Sequence, residues 1–458
     1  MFNKNKEKKN EIDMCNGSIL PKMLSFALPL MCSSMLQLLF NAADTIVVGR
    51  FAGDASLAAV GATTALINLL VNLFVGLSVG ANVLAARDYG AKKEDELQKT
   101  IHTSMLISVL SGIVLTIIGV LFTKNILIIM NTPDDVLNLA AVYLRVYFLG
   151  MTATMIYNFG SAILRAVGDT KRPLYYLLIS GIINVILNLV FVIIFRMDVA
   201  GVGLATAISQ CISAFLIVKC LINEKGMMKL YIRKLHIYKD KLIEILKVGL
   251  PAGFQGVLFA LSNVIIQSSI NGFGKTVVAG NSAAASIEGF VYVAMNAFYQ
   301  AAISFTGQNI GAGRTDRIKK ILICSEGCVI VVGIVLGNLA YIAGRPLLSI
   351  YSSNSKVIDA GLVRMSIISV TYALCGMMDV MVGMLRGMGY SIMPMIISLI
   401  GVCGLRILWL ATIFKIEKYH VVETVFLSYP ITWIITIAAY VICYALVYKK
   451  VVKKYSRL

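Results

Sequence analysis

Long apolar runs alternate with short polar stretches along almost the whole chain, and many of the polar stretches are basic. Each run is longer than the ~20 residues that a helix needs to cross a bilayer. The pattern therefore predicts twelve membrane-spanning helices at residues 21–48, 56–86, 97–122, 134–166, 171–195, 201–222, 242–271, 276–308, 317–341, 356–387, 391–414 and 422–448.

The second half of the chain repeats the first. A shift of 221 residues aligns the following positions: Leu164-Arg165 with Leu385-Arg386, Gly168 with Gly389, and Pro173 with Pro394. Each half holds six spans, so both halves begin and end on the same side, as parallel repeats do. We expect two pseudo-symmetric six-helix bundles with a central cleft. The predicted segments are a tail (1–20), a bundle (21–222), a cytoplasmic linker (223–241), a second bundle (242–448) and a tail (449–458).

Composition supports this all-α polytopic membrane fold. Hydrophobic residues make up 58% of the 458 residues and charged residues only 14%, whereas soluble domains are about one-quarter charged. The net charge of +18 raises the question of nucleic acid binding. However, thirty basic residues lie in the tails, in the even-numbered loops or at the span ends beside them, and eight lie in or beside the odd-numbered loops. This bias is typical of cytoplasmic loops. It predicts that both termini are cytoplasmic. It also indicates that the positive charge orients the protein in a bilayer and does not bind nucleic acid.

Asp44 is the only acidic residue of the first span. At helical spacing it shares a face with Asn41, Gln37 and Ser34, and the rest of the span is largely apolar. Because hydrocarbon offers no hydrogen bonds, an ionisable residue inside a span is a functional-site hypothesis by default. The alternative is that Asp44 is solvated at the outer membrane surface, beside Arg50.

Other chemistry lacks support in the sequence. The nine cysteines are scattered through apolar segments, and the three histidines are isolated, so we expect no cofactor, disulfide or transition-metal centre. No Gly-x-Ser-x-Gly string, histidine cluster or paired acidic motif indicates an enzyme. The first ~20 residues are lysine-rich and lack the apolar core of a cleaved signal peptide.

Three kinds of motif occur at defined places in the twelve-span pattern. They are Asn41-Ala-Ala-Asp-Thr-Ile-Val-Val-Gly-Arg50, the Leu-Arg-x-x-Gly-x-x-x-x-Pro strings at Leu164 and Leu385, and Gly-Ala after spans two and eight. Together with the repeat, they resemble the multidrug and toxic compound extrusion (MATE) transporters of bacteria. The resemblance extends from about Ser18 to Tyr448. It implies export of small organic, often cationic or amphipathic, compounds, driven by inward Na⁺ or H⁺.

The resemblance also implies a cation site in the N-terminal bundle. The matching positions are Asp44, Asn184, Asn188 and Thr206. Asn184 and Asn188 share a helix face at i, i+4, and a hard monovalent cation prefers such oxygen ligands. Since a carboxylate can bind either ion, the sequence does not choose between Na⁺ and H⁺. A hydrogen bond between helices is the alternative role of the two asparagines.

The C-terminal bundle departs from the family pattern. Other members carry an acidic residue in span seven, where this chain has Pro251-Ala-Gly-Phe-Gln255-Gly-Val-Leu-Phe259-Ala260. The bundle instead holds Glu288, Asp379 and Arg406. Two interpretations stay open: either acid binds a cationic substrate or a second ion, or either acid neutralises Arg406.

The whole pattern predicts a monomeric cation-coupled antiporter in the bacterial inner membrane, working by alternating access. We expect its substrate path to be lined by Gln37, Asn41, Tyr157, Asn158, Gln255, Glu288 and Asp379. A flippase of lipids or lipid-linked oligosaccharides is the main alternative. It would need a larger and often basic cavity, whereas the charges within these spans are of mixed sign. A passive channel is disfavoured by the two-bundle repeat.

Overall fold

The computed structural model describes residues 11–130 and 132–455. This part of the chain contains sixteen α-helices and no β-strand. The helices are α1 (Ile19–Phe51), α2 (Asp54–Gly90), α3 (Glu94–Ile129), α4 (Asp134–Leu149), α5 (Met151–Ala166), α6 (Lys171–Leu189), α7 (Asp198–Asn223), α8 (Lys239–Asn271), α9 (Lys275–Gly311), α10 (Ile318–Ile342), α11 (Gly344–Ser349), α12 (Ser355–Thr371), α13 (Ala373–Gly387), α14 (Ile392–Ser398), α15 (Leu405–Ala411) and α16 (Val422–Tyr455).

These helices account for the twelve predicted spans. Within the described residues, ten helical segments are long and apolar enough to cross a bilayer. Two further spans are bent pairs: α4 and α5 meet at 47°, and α12 and α13 meet at 44°. π-helical turns follow α6 (Val190–Ile194) and α14 (Leu399–Gly404). The predicted all-α polytopic fold is therefore confirmed, and the bends and π turns are features that apolar periodicity did not indicate.

The internal repeat is visible in the backbone. Gly53 and Gly274 precede α2 and α9 with φ of 88° and 89°, and they lie 221 residues apart. Gly168 and Gly389 form a second such pair, with φ of 94° and 89°. Glycine adopts this region without the steric penalty that a side chain brings. The same local turns therefore recur in both halves, as the sequence repeat predicts.

The chain forms two compact units whose boundaries differ from those of the predicted bundles. Within the described residues, unit 1 comprises 11–13 and Cys32–Gly253, and unit 2 comprises Met14–Met31 and 254–455. The first part of α1 thus belongs to unit 2, and the first part of α8 belongs to unit 1. The predicted boundaries at 21–222 and 242–448 did not include this exchange.

In unit 1, the start of α8 packs closely against α2. A side chain at Gly76 or Gly80 would overlap the backbone of Gly253 or Ile245, so glycine is needed for this approach. The Lys241 ammonium, 3% exposed, lies 2.8 Å from an Asp88 carboxylate oxygen and 2.9 Å from one of Glu96. Apolar packing, close backbone contact and buried charge pairs together hold this segment in unit 1.

In unit 2, the segment before and at the start of α1 packs against α9 and α10. The Asn309 side chain donates to the Met14 carbonyl at 3.0 Å, and Arg317 donates to the Gly17 carbonyl at 3.0 Å. The ring of Phe26 meets that of Phe305 edge-on at 5.8 Å between centroids. The first residues of α1 therefore help to build the core of unit 2.

Candidate functional site: a polar chain across unit 1

A close contact between α1 and α6 sets the position of Asp44. A Cβ at Gly181 would overlap the ring of Phe40, so this ring fills the space that the missing side chain leaves. Phe40 lies one helical turn before Asp44, and Gly181 lies one turn before Asn184. The glycine contact therefore places the Asp44 carboxylate against the asparagine face of α6.

The four residues of the predicted cation site form one hydrogen-bonded chain. The Asn188 amide nitrogen donates to the Asp44 carboxylate and, at 3.2 Å, to Asn184 Oδ1. The Asn184 amide nitrogen in turn lies 3.4 Å from Thr206 Oγ1. α1, α6 and α7 thus bring together a carboxylate, two amides and a hydroxyl within unit 1.

One acceptor in this hydrogen-bonded chain, Asn188 Oδ1, has no partner among the described residues. Asn188 is 0% exposed, and its Oδ1 makes no hydrogen bond to any described residue. A buried polar atom without a partner costs about 1–3 kcal/mol. A bound cation would satisfy this oxygen, and the neighbouring donor set of carboxylate, amide and hydroxyl oxygens suits a hard cation. The chemistry of the residues present therefore fits a small monovalent ion.

Two features of the site were not indicated by the sequence. Tyr143 and Tyr147 of α4 lie close enough to interact electrostatically with Asp44. The π-helical turn at Val190–Ile194 begins two residues after Asn188. π turns are frequent at functional sites because they change the direction of the side chains that follow. Tyrosines in an apolar span are too common to have marked these two positions.

In unit 2, Glu288 pairs with Arg364, a residue that the sequence interpretation did not select. The Arg364 guanidinium donates to one Glu288 carboxylate oxygen at 2.7 and 3.0 Å, and Ser369 donates to the other at 3.1 Å. Both partners are buried, with 2% exposure for Glu288 and 8% for Arg364. The available signal was that Arg364 is a basic residue well inside the predicted span 356–387. Glu288 neutralises this arginine and not Arg406.

The other charged residues of unit 2 have different partners. Asp379 interacts with the Tyr292 hydroxyl and with the charge of Arg386. Arg406 is 3% exposed and makes no ion pair with any described carboxylate. Neither acid therefore neutralises Arg406.

The residues predicted to line the substrate path lie in different environments. Gln37 and Asn41 are exposed on α1, and Asn158 is partly buried on α5. The Tyr157 hydroxyl, by contrast, donates to the Pro173 carbonyl at 3.0 Å within unit 1. Gln255 Oε1 accepts from Arg386 at 2.8 Å within unit 2. Tyr157 and Gln255 thus have structural hydrogen bonds that the sequence did not indicate.

No group of three or more histidine, cysteine, aspartate and glutamate side chains that could hold a metal ion occurs among residues 11–130 and 132–455. The chain of Asp44, Asn188, Asn184 and Thr206 contains a single carboxylate. It is therefore a different kind of site from a multi-carboxylate or histidine-rich metal centre.

Comparisons with known proteins agree with this architecture. The MatE family model matches residues 29–190 and 251–411, which together are more than half of the chain. "Probable multidrug resistance protein YoeA" of Bacillus subtilis is 28% identical over 451 residues, with 96% of each chain covered. "Probable multidrug resistance protein NorM" of Thermotoga maritima is 24% identical over 406 residues, covering 87% of this chain and 86% of the relative.

A solved structure shows the same fold. It is described as the outward-facing conformation of a multidrug resistance MATE family transporter of the MOP superfamily. The match has a TM-score of 0.91 at 20% identity and covers 98% of this chain and 100% of the other. The two matched segments of the family model correspond to the two halves of the repeat, so the chain belongs to the MatE family and is a bacterial MATE transporter of the membrane.

Proposed function

We propose that the protein is a cation-coupled antiporter that exports small organic compounds, with Asp44 as the coupling residue. The observation that carries this proposal is the hydrogen-bonded chain from Asp44 through Asn188 and Asn184 to Thr206. The relatives named as multidrug resistance proteins support the export of organic molecules. The coupling ion is Na⁺ or H⁺.

Asn188 suggests how an ion changes the site. Its amide nitrogen donates to Asp44, while its Oδ1 has no hydrogen-bond partner in the described part of the chain. Rotation of the amide by a half-turn would place Oδ1 beside the carboxylate, where both oxygens face a cation. A proton bound to Asp44 would likewise donate to Oδ1. Either ion therefore exchanges one set of contacts between α1 and α6 for another.

This exchange supplies the coupling. An ion shifts a conformational equilibrium only through its different affinity for the two states. Because the Asp44–Asn188 contact joins α1 to α6, an ion that alters this contact favours one arrangement of α1. Ion binding from outside then favours release of substrate, and ion release inside allows substrate to bind again.

The protein acts in this proposal as a monomer in the bacterial inner membrane, with both termini in the cytoplasm. The excess of basic residues in the tails and even-numbered loops supports this orientation. A lipid or lipid-linked oligosaccharide flippase is less well supported, because the named relatives are multidrug resistance proteins. No cofactor takes part apart from the coupling ion, and no catalytic step is proposed.

Transport in liposomes tests the proposal. We would reconstitute the purified protein and follow efflux of a cationic dye under a Na⁺ gradient and, separately, a proton gradient. We expect one gradient to drive efflux, and Asp44→Asn to reduce the driven rate to that of protein-free liposomes. Asp198→Asn is the matched control, because Asp198 is exposed in the same unit. Efflux that is independent of both gradients, or that survives Asp44→Asn, would contradict the proposed coupling.

A further inference from the structure

Arg406 of α15 is a buried cation that makes no ion pair with any carboxylate in residues 11–130 and 132–455. Its side chain donates to Thr432 Oγ1 at 3.2 Å, and its guanidinium carbon lies 3.9 Å from the centre of the Tyr429 ring. The Nε atom has no hydrogen-bond partner among the described residues. Arginine remains charged in proteins, so this group cannot become neutral by losing a proton. A buried charge in a membrane helix calls for a partner of opposite charge.

The carboxylates of unit 2 that lie within the helices do not supply this partner. Glu288 is held by Arg364. Asn281 and Ser369 belong to the same buried network. Asp379 interacts with Tyr292 and Arg386. Glu326 on α10 makes no ion pair either, and its two carboxylate oxygens have no hydrogen-bond partner among described residues. Arg406 therefore has no ion-pair partner in the part of the chain that the structure describes.

A second guanidinium lies on the same aromatic ring. The Arg364 guanidinium carbon is 5.8 Å from the centre of the Tyr429 ring. Arg364 is neutralised by Glu288, but Arg406 on the same ring is not. Tyr429 is itself only partly buried.

The repeat relates this cluster to the polar chain of unit 1. The shift of 221 residues aligns Arg406 with Val185, the neighbour of Asn184, and aligns Thr432 with Cys211 on α7, the helix that carries Thr206. Unit 1 has a carboxylate and neutral oxygens in this region of the fold. Unit 2 has a fixed positive charge, a hydroxyl and an aromatic ring. The corresponding regions of the two halves therefore carry side chains of opposite charge.

We propose that Arg406, Thr432 and Tyr429 form a site for an oxyanion, namely the carboxylate or phosphate group of the transported organic molecule. A guanidinium binds such groups through two parallel hydrogen bonds, and the tyrosine ring packs on the organic part. The Thr432 hydroxyl accepts from Arg406 and donates to the Ser428 carbonyl at 2.7 Å, so its role is to orient the guanidinium. The inference deepens the proposed function by assigning the substrate an anionic group, so the substrate class includes zwitterions and organic anions. The binding step itself does not require cation coupling.

Ligand-dependent thermal unfolding of the purified full-length protein tests this site. The probes are benzoate, phenyl phosphate, neutral benzamide and inorganic phosphate, each at the same Na⁺ concentration and ionic strength. We expect benzoate or phenyl phosphate to raise the unfolding temperature saturably, and benzamide to have no effect. Arg406→Gln should abolish the shift, and Arg406→Lys should raise the half-saturating concentration about tenfold. Arg345→Gln, an exposed arginine of the same unit, is the matched control and should retain the shift.

The outcomes separate the possible sources of the anion. If inorganic phosphate stabilises the protein as well as phenyl phosphate does, the site binds a free anion and the substrate assignment is overturned. An equal shift in the wild type and Arg406→Gln, or no shift with any probe, overturns the site itself. If Arg406→Gln does not fold, Thr432→Val replaces it and should raise the half-saturating concentration several-fold. Asp44→Asn should keep the shift, which makes failure of this site distinguishable from failure of the coupling proposal.

Discussion

Asn188 connects the charge of Asp44 to the rest of the polar chain. Its amide nitrogen is the donor to both Asp44 and Asn184, and it is fully buried. Removal of this one side chain would leave Asp44 without that donor and would leave Asn184 Oδ1 without its hydrogen bond. At the scale of single residues, the site therefore depends on a neutral amide as much as on the carboxylate.

We expect Asn188→Leu to weaken cation coupling while keeping the volume of the side chain. The driving cation loses a ligand oxygen and Asp44 loses a hydrogen bond, so the half-saturating cation concentration should rise at least tenfold, which is about 1.4 kcal/mol. The measurement is the initial rate of dye efflux against cation concentration in liposomes. Asn338→Leu is the control, because the partly buried Asn338 bonds only within its own helix, to the Ile334 carbonyl. An unchanged half-saturating concentration would contradict a role for Asn188.

The sequence indicated which residues meet in the polar chain of unit 1 better than it indicated the charge partners in unit 2. Asp44 was visible as a lone acid in an apolar span, and the resemblance supplied Asn184, Asn188 and Thr206. The pairing of Glu288 with Arg364 joins residues 76 positions apart on different helices. Helical periodicity describes which face a residue occupies on its own helix, but it does not say which charge on another helix lies opposite.

At the scale of helices, glycine contacts fix the register between neighbours. Phe40 of α1 fills the space above Gly181 of α6, so the two helices cannot slide past each other without a clash. Core packing of this kind is close to that of a crystal and tolerates little added volume. The alignment of Asp44 with Asn188 is therefore a consequence of the shapes of two apolar positions.

Gly181→Ala should separate α1 from α6 and reduce gradient-driven efflux, although no polar atom of the site is changed. Overpacking by one methyl group costs about 1–3 kcal/mol. We expect a lower thermal unfolding temperature together with a higher half-saturating cation concentration. Gly61→Ala on α2 is the control, since no atom lies within 4 Å of a Cβ at that position. Normal coupling in Gly181→Ala would show that this contact does not set the site.

The number of spans and their approximate length followed from the sequence, but helix shape did not. Each predicted span has its counterpart, because the length of an apolar run reflects the thickness of the bilayer. The bend at Gly150 and the π turn at Val190–Ile194 depend on tertiary packing. They leave the apolar pattern unchanged, and so they could not be predicted from it.

At the scale of the whole molecule, two helices each contribute to both units. Unit 1 holds the start of α8 through Gly76, Gly80 and the buried Lys241 ammonium. Unit 2 holds the start of α1 through Phe26 and the carbonyls of Met14 and Gly17. Contacts between backbones at glycine carry no hydrophobic signal, so the apolar pattern of the sequence does not indicate them.

We expect Lys241→Met to destabilise the protein by about 3 kcal/mol or more, because Asp88 is left buried without its cation. Asp88 is only 5% exposed, and Thr100 would remain as its hydrogen-bond donor. The measurement is thermal unfolding of the purified protein in detergent. Lys247→Met, an exposed position on the same helix, should have little effect. Equal unfolding temperatures for the two variants would show that the buried pair does not hold α8 in place.

The place of the first α1 residues in unit 2 has a consequence for synthesis. Met14 leaves the ribosome early, yet its carbonyl is bound by Asn309, which is 295 residues further along the chain. At ~5–20 residues per second, the first segment waits roughly 15–60 s for this partner. During that time its apolar surface must be covered by lipid or by the insertion machinery. Completion of unit 2 is therefore a late event in biogenesis, although it uses some of the earliest residues made.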